Sequence, residues 1–172
     1  MKSRILSEIN YCGSISISEL LNSFPHGLEA IQVIPLNYKQ LVFAATHTSS
    51  QEFYTYTFDI EEARITDYEI PNGGNISGAS VYWFDGMHIN SVNPKIRYIA
   101  GVYLYKSIDG GQTFKKLFGY SLGDNNVPHV DVRSMLVTKY SKDGKSDHIY
   151  LGTDGGLSFS KDGGKTFINL NG

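Results

Sequence analysis

The residues whose types and spacing are best suited to chemistry lie in the segment His129-Val-Asp-Val-Arg133. Alternate residues of a β-strand share a face, so a strand through this segment would direct His129, Asp131 and Arg133 to one side. Asp131 would then orient the His129 imidazole or pair with Arg133, whose guanidinium fork suits hydroxyls or a carboxylate. The sequence predicts a ligand-binding group here. The alternative is a structural polar network, in which these side chains bond to one another and bind no ligand.

Two polar residues nearer the N-terminus, His88 and Asn90, are the matching candidates for ligand binding. His26 precedes an apolar run in the same way, but the three histidines lie at the unequally spaced positions 26, 88 and 129. This spacing disfavours a shared three-histidine metal site, so no metal is predicted. No cofactor and no catalytic residue are predicted either. The aromatic run Tyr82–Phe84 would suit stacking on sugar rings if exposed, although strand alternation favours a place in the core.

A longer motif occurs twice, as Ser107-Ile-Asp-Gly-Gly-Gln-Thr-Phe114 and as Ser160-Lys-Asp-Gly-Gly-Lys-Thr-Phe167. Its glycines allow the positive φ angles of a tight hairpin, and its aspartates can accept backbone N–H bonds that the turn leaves unpaired. The threonine hydroxyls can close the turn, and each phenylalanine buries a large apolar area. We predict a structural role for the matching residues, which are Ser107, Asp109, Gly111, Thr113, Phe114, Ser160, Asp162, Gly164, Thr166 and Phe167.

Each copy of the motif lies in a unit of about 50 residues, a period typical of repeat architectures such as β-propellers. The first strand of the earlier unit is either Ala79–Phe84 or His88–Val92. The later unit is predicted to form four strands, which are Val130–Thr138, His148–Thr153, Gly156–Ser160 and Thr166–Leu170.

A further unit without the motif is predicted upstream, with strands at Leu28–Ile34, Gln40–Thr46, Phe53–Phe58 and Ile65–Ile70. Residues 1–24 are either outer strands of a preceding blade or an N-terminal extension, and Glu19–Phe24 is alternatively a short helix. The predicted organisation is therefore 1–24, 25–75 as a blade without the motif, 76–122 as a blade with the first motif, and 123–172 as a blade with the second.

The two motifs and their flanks, about residues 76–172, resemble the Asp box (BNR repeat) of sialidases, sortilin-type receptors, xyloglucan-cleaving propellers and many secreted bacterial repeat proteins. The resemblance implies an all-β fold of four-stranded antiparallel propeller blades, about three of them, as part of a larger propeller or completed by self-association. It also implies that the Asp box lies on a solvent-facing hairpin, away from the face where ligands bind.

Two classes of function follow from this resemblance. The first is a non-catalytic recognition or scaffolding module of a secreted or cell-surface protein that binds protein or glycan. The alternative is a fragment of an Asp-box glycoside hydrolase of the sialidase or xyloglucanase type. A sialidase needs three arginines for the substrate carboxylate, and of the four arginines here only Arg133 has a suitable position. Intracellular assembly-factor propellers of similar repeat type remain a third possibility.

Composition narrows the partners further. The formal net charge of −2 provides no basic excess for nucleic acid or an anionic membrane. No stretch approaches the roughly 20 apolar residues of a transmembrane helix, and the first ten residues lack the apolar region of a signal peptide. We expect an extracellular or cell-surface protein whose native signal sequence is missing here. The single cysteine, Cys12, excludes an intrachain disulfide and has no assigned role.

Overall fold

The computed structural model describes residues 28–47, 52–71, 76, 86–90, 92–118, 127–138 and 147–171. In this part of the chain, twelve strands form three four-stranded antiparallel sheets, so the fold is all-β as predicted. The chain divides into two compact units, Met1–Asn75 and Ile76–Gly172. The predictions for residues 1–24, His26, Ala79–Phe84 and Tyr82–Phe84 lie outside the described residues.

The first sheet belongs to the first unit and is a simple meander. Its strands pair in chain order and are β1 (Leu28–Pro35), β2 (Gln40–His47), β3 (Phe53–Asp59) and β4 (Arg64–Glu69). These bounds agree with the predicted strands to within one residue at each end. The agreement reflects the short apolar run in Gln40–Thr46 and the alternation of aromatic residues with threonine in Phe53–Phe58, patterns that favour a pleated, buried surface.

One face of the first sheet carries a core of Phe43, Ala45, Tyr56 and Phe58. The rings of Phe43 and Phe58 meet edge to face, with centroids 6.0 Å apart. Burial, together with the neighbouring rings of Tyr54 and Tyr68, raises the pKa of Tyr56 to about 12. The turn from β3 to β4 is fixed by Asp59, whose Oδ1 accepts the N–H groups of Glu61 and Glu62, each at 2.9 Å.

The second unit contains two further meanders. The second sheet comprises β5 (Gly86–Ile89), β6 (Arg97–Ala100), β7 (Leu104–Ser107) and β8 (Lys115–Lys116). The third comprises β9 (Val132–Thr138), β10 (His148–Thr153), β11 (Gly156–Ser160) and β12 (Ile168–Asn169). Of the two candidates for the first strand of the second sheet, β5 overlaps His88–Val92. Strand β12 is shorter than the predicted Thr166–Leu170, because the preceding motif residues are held in a hydrogen-bonded turn.

The second and third sheets share one hydrophobic core. The rings of Phe118 and Phe167 meet edge to face within it, with centroids 5.5 Å apart. Two backbone bonds join the sheets at their ends, from the N–H of Asp131 to Val102 O (2.9 Å) and from that of Val132 to Gly101 O (2.8 Å). The core comprises Tyr98, Ala100, Leu104, Phe118, Val132, Met135, Ile149, Leu151 and Phe167.

Successive turns of a meander lie at opposite ends of its sheet. The turns that carry the repeated motifs, β7–β8 and β11–β12, therefore lie at one end of the second unit, which we call the motif end. The β6–β7 and β10–β11 turns and the start of β9 lie at the other, which we call the opposite end. Two backbone bonds, Asp131 to Val102 and Val132 to Gly101, lie at the opposite end. They place the opposite ends of the two sheets side by side.

Candidate functional site

Three exposed charged or titratable side chains meet at the opposite end of the third sheet. Arg133 near the start of β9 forms a bidentate ion pair with Asp154 in the β10–β11 turn, with Nε–Oδ1 and Nη2–Oδ2 distances of 2.7 and 2.8 Å. The hydrogen bond from Arg133 lowers the pKa of Asp154, and the same bond raises the pKa of Arg133. The geometry fixes the plane of the guanidinium group.

His129 lies over the same turn. Its Nδ1 is 2.8 Å from Val130 O, and its side chain is exposed. A Cβ built on Gly155 would be 2.5 Å from His129 Cβ, so the close approach of the imidazole to the turn requires glycine at this position. His129, Arg133 and Asp154 form the opposite-end cluster.

Asn171 holds the turn beneath the opposite-end cluster. Its Nδ2 donates to Gly155 O at 2.6 Å, and its Oδ1 accepts the N–H of Leu157 at 2.9 Å. One side chain after β12 therefore satisfies both sides of the β10–β11 turn. The cluster rests on a turn whose backbone is fixed from two directions, which favours a preorganised surface.

The expected strand alternation from His129 to Arg133 is wrong. Strand β9 begins only at Val132, and Asp131 has a φ of 64°, in the left-handed region, so the period of two does not extend back through it. Asp131 instead donates its backbone N–H to Val102 in the second sheet. The bidentate partner of Arg133 is Asp154, a residue that the sequence did not single out.

The other two predicted binding residues lie elsewhere. His88 is on β5 directly opposite Tyr98 of β6, on the face that the second sheet turns to the third. Asn90 follows β5 at the motif end, where its Nδ2 donates to Asp147 Oδ1 at 2.5 Å. The structure therefore brings neither residue to the opposite-end cluster, and the role of Asn90 here is to join the two sheets.

The first repeated motif forms a closed hydrogen-bonded turn. Ser107 Oγ donates to Asp109 Oδ1 at 2.7 Å and accepts the N–H of Gly111 at 2.9 Å. The Asp109 carboxylate also accepts the backbone N–H of Thr113 at 3.0 Å and its hydroxyl at 2.5 Å. Gly110 and Gly111 have φ angles of 87° and 98°, a conformation that favours glycine.

The second motif forms the same kind of closed turn. Ser160 Oγ donates to Asp162 Oδ1 at 2.8 Å and accepts the N–H of Gly164 at 2.9 Å. Asp162 accepts the N–H and the hydroxyl of Thr166 at 2.9 and 2.6 Å, and the N–H of Lys165 at 3.0 Å. Both oxygens of each motif carboxylate therefore accept hydrogen bonds from the motif itself.

These hydrogen bonds keep both motif aspartates ionised in acid. The hydroxyl of Thr113 is the largest cause that lowers the pKa of Asp109. Burial raises the pKa of Asp162, but the bonds from Thr166, Ser160 and Lys165 together outweigh it and lower the pKa to about 2. The carboxylates are thus bound as anions inside their own turns, as the hydrogen-bond acceptors of a structural motif would be.

The stability of the second unit is expected to fall as pH drops from about 4 to about 2. A carboxyl whose pKa is lower in the folded state than its ordinary value of about 3.9 stabilises the fold above that value and loses this contribution as it is protonated. Thr166→Val removes the hydroxyl donor to Asp162 and should make the loss shallower. Urea unfolding between pH 5 and pH 2 measures the effect.

The matched control is Thr66→Val. The hydroxyl of Thr66 donates to a backbone carbonyl, Thr57 O, and not to a carboxylate. This variant should follow the wild-type pH dependence. If the curves of Thr166→Val and wild type are parallel, the hydroxyl of Thr166 does not hold Asp162 in its ionised form.

A network missed by the sequence joins the two sheets at the motif end. Tyr98 OH donates to Asp147 Oδ2 at 2.8 Å, and Asp147 is buried. Lys106 Nζ donates to Gly163 O at 2.9 Å and lies 5.3 Å from the centroid of the Tyr98 ring. Burial, and then the hydrogen bond to Asp147, raises the pKa of Tyr98, and burial lowers the pKa of Lys106. The second motif is thus anchored to the second sheet.

No family model and no curated protein matches the chain. Among the described residues, no three or more His, Cys, Asp and Glu side chains are grouped as a metal site. The same residues include no helix of the length and apolarity needed to span a membrane.

Proposed function

We propose that this chain is a non-catalytic recognition module of Asp-box β-propeller blades, and that the opposite-end cluster binds a protein or a glycan. One contrast within the second unit supports the proposal. The motif carboxylates accept hydrogen bonds within their own turns. In contrast, His129, Arg133 and Asp154 are exposed at the other end, around a turn whose backbone is held by hydrogen bonds. A rigid element that carries exposed polar groups is well suited to binding.

The blade proposal draws on the repeated four-stranded meanders. In the second and third sheets, each meander carries the same closed turn between its last two strands, and the two sheets stack through one core. Closed propellers usually have four to eight blades. In this proposal the three sheets are part of such a ring, and the remaining blades come from a larger chain or from a self-association partner. A secreted or cell-surface location follows from the resemblance of the motifs.

The chemistry of the cluster suits hydroxyl and carboxylate groups. Asp154 engages one side of the Arg133 fork and orients the guanidinium, a group whose planar donor geometry matches hydroxyl and carboxylate oxygens. The His129 imidazole adds a second hydrogen-bonding group next to it. Both sugars and acidic or hydroxylated side chains of a protein match this set.

A glycan array with sialylated, fucosylated, β-glucan and xyloglucan structures tests the glycan form of the proposal. Arg133→Ala should weaken binding to any glycan recognised by the wild type about tenfold or more. It should leave the free energy of unfolding nearly unchanged, because both partners of the ion pair are exposed. Binding is measured by biolayer interferometry and stability by urea unfolding.

Arg64→Ala is the matched control, since Arg64 also forms an exposed ion pair, with Glu62, at 2.6 Å in the first sheet. It should bind like the wild type. Equal affinities for wild type and Arg133→Ala would remove the opposite-end cluster from the proposal. Release of free sugar from an array glycan would instead favour the glycoside hydrolase.

A further inference from the structure

The third sheet has an outer face that points away from the second sheet, and this face is apolar across all four strands. Leu136 of β9 pairs with Tyr150 of β10, which pairs with Phe159 of β11, which pairs with Ile168 of β12. The Tyr150 and Phe159 rings are in contact, with centroids 4.7 Å apart. Leu136 and Ile168 at the two ends of this row are 57% and 54% exposed.

The second sheet contains the equivalent face, as the strand register shows. The first serine of each motif pairs with Arg97 in the second sheet and with Ile149 in the third, so Tyr98 corresponds to Tyr150. A bond that follows the short fourth strand also repeats, from Leu117 N–H to Leu104 O at 2.9 Å and from Leu170 N–H to Leu157 O at 2.8 Å.

In the second sheet this face is covered, and a four-stranded sheet covers it. Leu104 is fully buried against the third sheet, whereas the equivalent Leu157 on the outer face is 43% exposed. The chain itself therefore shows that such a face packs against another sheet. Packed sheets lie about 10 Å apart with interdigitating side chains, which is the contact that the outer face offers.

The outer face is more apolar than the covered face, as three equivalent positions show. The register places Leu136 where the second sheet has His88, Phe159 where it has Lys106, and Ile168 where it has Lys115. In the covered face, Lys106 requires an acceptor on its partner, Gly163 O. The row on the outer face contains no charged residue, so its occupant must present an apolar surface without such an acceptor.

We infer that the occupant is a second copy of this chain, whose own outer face packs on the first around a two-fold axis. Nine large hydrophobic side chains are exposed among the described residues, and four of them (Leu136, Leu157, Ile168 and Leu170) lie on this face. The outer face thus meets the apolar requirement itself. An isologous contact would bury all eight of these side chains, which are uncharged, and closed two-fold dimers are the commonest oligomers.

This inference deepens the self-association named above and does not depend on ligand binding at the opposite-end cluster. Its test is the solution mass of the intact chain by sedimentation velocity. The wild type should sediment as a dimer. Ile168→Glu and Ile168→Lys each place a charge in the contact and should weaken the dimer by about 30-fold or more. Leu136→Glu, at the other end of the row, should do the same, and circular dichroism checks that each variant is folded.

Mixing the two Ile168 variants distinguishes a face-to-face dimer from any other arrangement. When the same face meets itself, glutamate on one copy lies in the same contact as lysine on the other, so the mixture should dimerise more strongly than either variant alone. Val92→Glu is the control, because Val92 is exposed outside the outer face, and it should remain dimeric. A monomeric wild type, a mixture no stronger than its components, or a monomeric Val92→Glu would each overturn the inference.

Discussion

Gly164→Ala is expected to reduce the free energy of unfolding of the second unit by about 3 kcal/mol, measured by urea denaturation. Gly164 has a φ of 88°, which costs an L-residue about 1–2 kcal/mol. A Cβ at this position would also collide with Leu117 Cδ1 and lie 3.5 Å from Ile149 Cδ1. Forcing an extra methyl group into such a packed site adds about 1–3 kcal/mol.

Another motif glycine provides a control for the backbone contribution. Gly110 in the first motif has a φ of 87°, but a Cβ built there has no heavy atom within 4 Å. Gly110→Ala should therefore cost only the backbone part, about 1 kcal/mol. The difference between the two variants measures how tightly the second motif packs on the second sheet. Equal losses would mean that this contact does not resist a methyl group.

The second large effect is expected at the Tyr98–Asp147 hydrogen bond. Tyr98→Phe removes the hydroxyl donor at 2.8 Å and leaves the buried Asp147 carboxylate with one partner fewer. The expected loss in the free energy of unfolding is about 2–3 kcal/mol, because an unsatisfied buried charged group bears its full desolvation cost. Thermal and urea unfolding, compared with the wild type, measure it.

Tyr150→Phe makes the same chemical change at the equivalent position of the third sheet, where the side chain is half-buried on the outer face. Its effect should stay within about 0.5 kcal/mol. Adding Asp147→Asn to Tyr98→Phe removes the charge that has lost its donor, so the two changes should cost less together than the sum of each alone. Additive losses would show that Tyr98 and Asp147 act independently.

The strands were predictable where the local sequence pattern is strong. Gln40–Thr46 and Phe53–Phe58 match β2 and β3 to within one residue, because the first is a short apolar run and the second alternates aromatic residues with threonine. The shape of each repeated motif was predictable for the same reason, since its serine, aspartate and threonine bond only to residues within four positions.

The candidate site was less predictable, because its contacts depend on tertiary structure. Asp154 is 21 residues from Arg133, and only the pairing of β9 with β10 brings the β10–β11 turn to it. The link between Asn90 and Asp147 spans 57 residues and depends on how the second sheet stacks on the third. The left-handed conformation of Asp131 had no signal either, since its neighbours are valines typical of a strand.

The closed turns of the two motifs have a consequence for the chemical ageing of the protein. An Asp-Gly bond is prone to rearrange, because the unhindered glycine nitrogen can attack the side-chain carboxyl and form a succinimide. In both motifs this nitrogen is already a hydrogen-bond donor, from Gly110 to Lys95 O and from Gly163 to Asp147 O, each at 3.0 Å. The carboxylates stay ionised, which makes them poor electrophiles. Asp109 and Asp162 should therefore resist isomerisation over the lifetime of the folded protein.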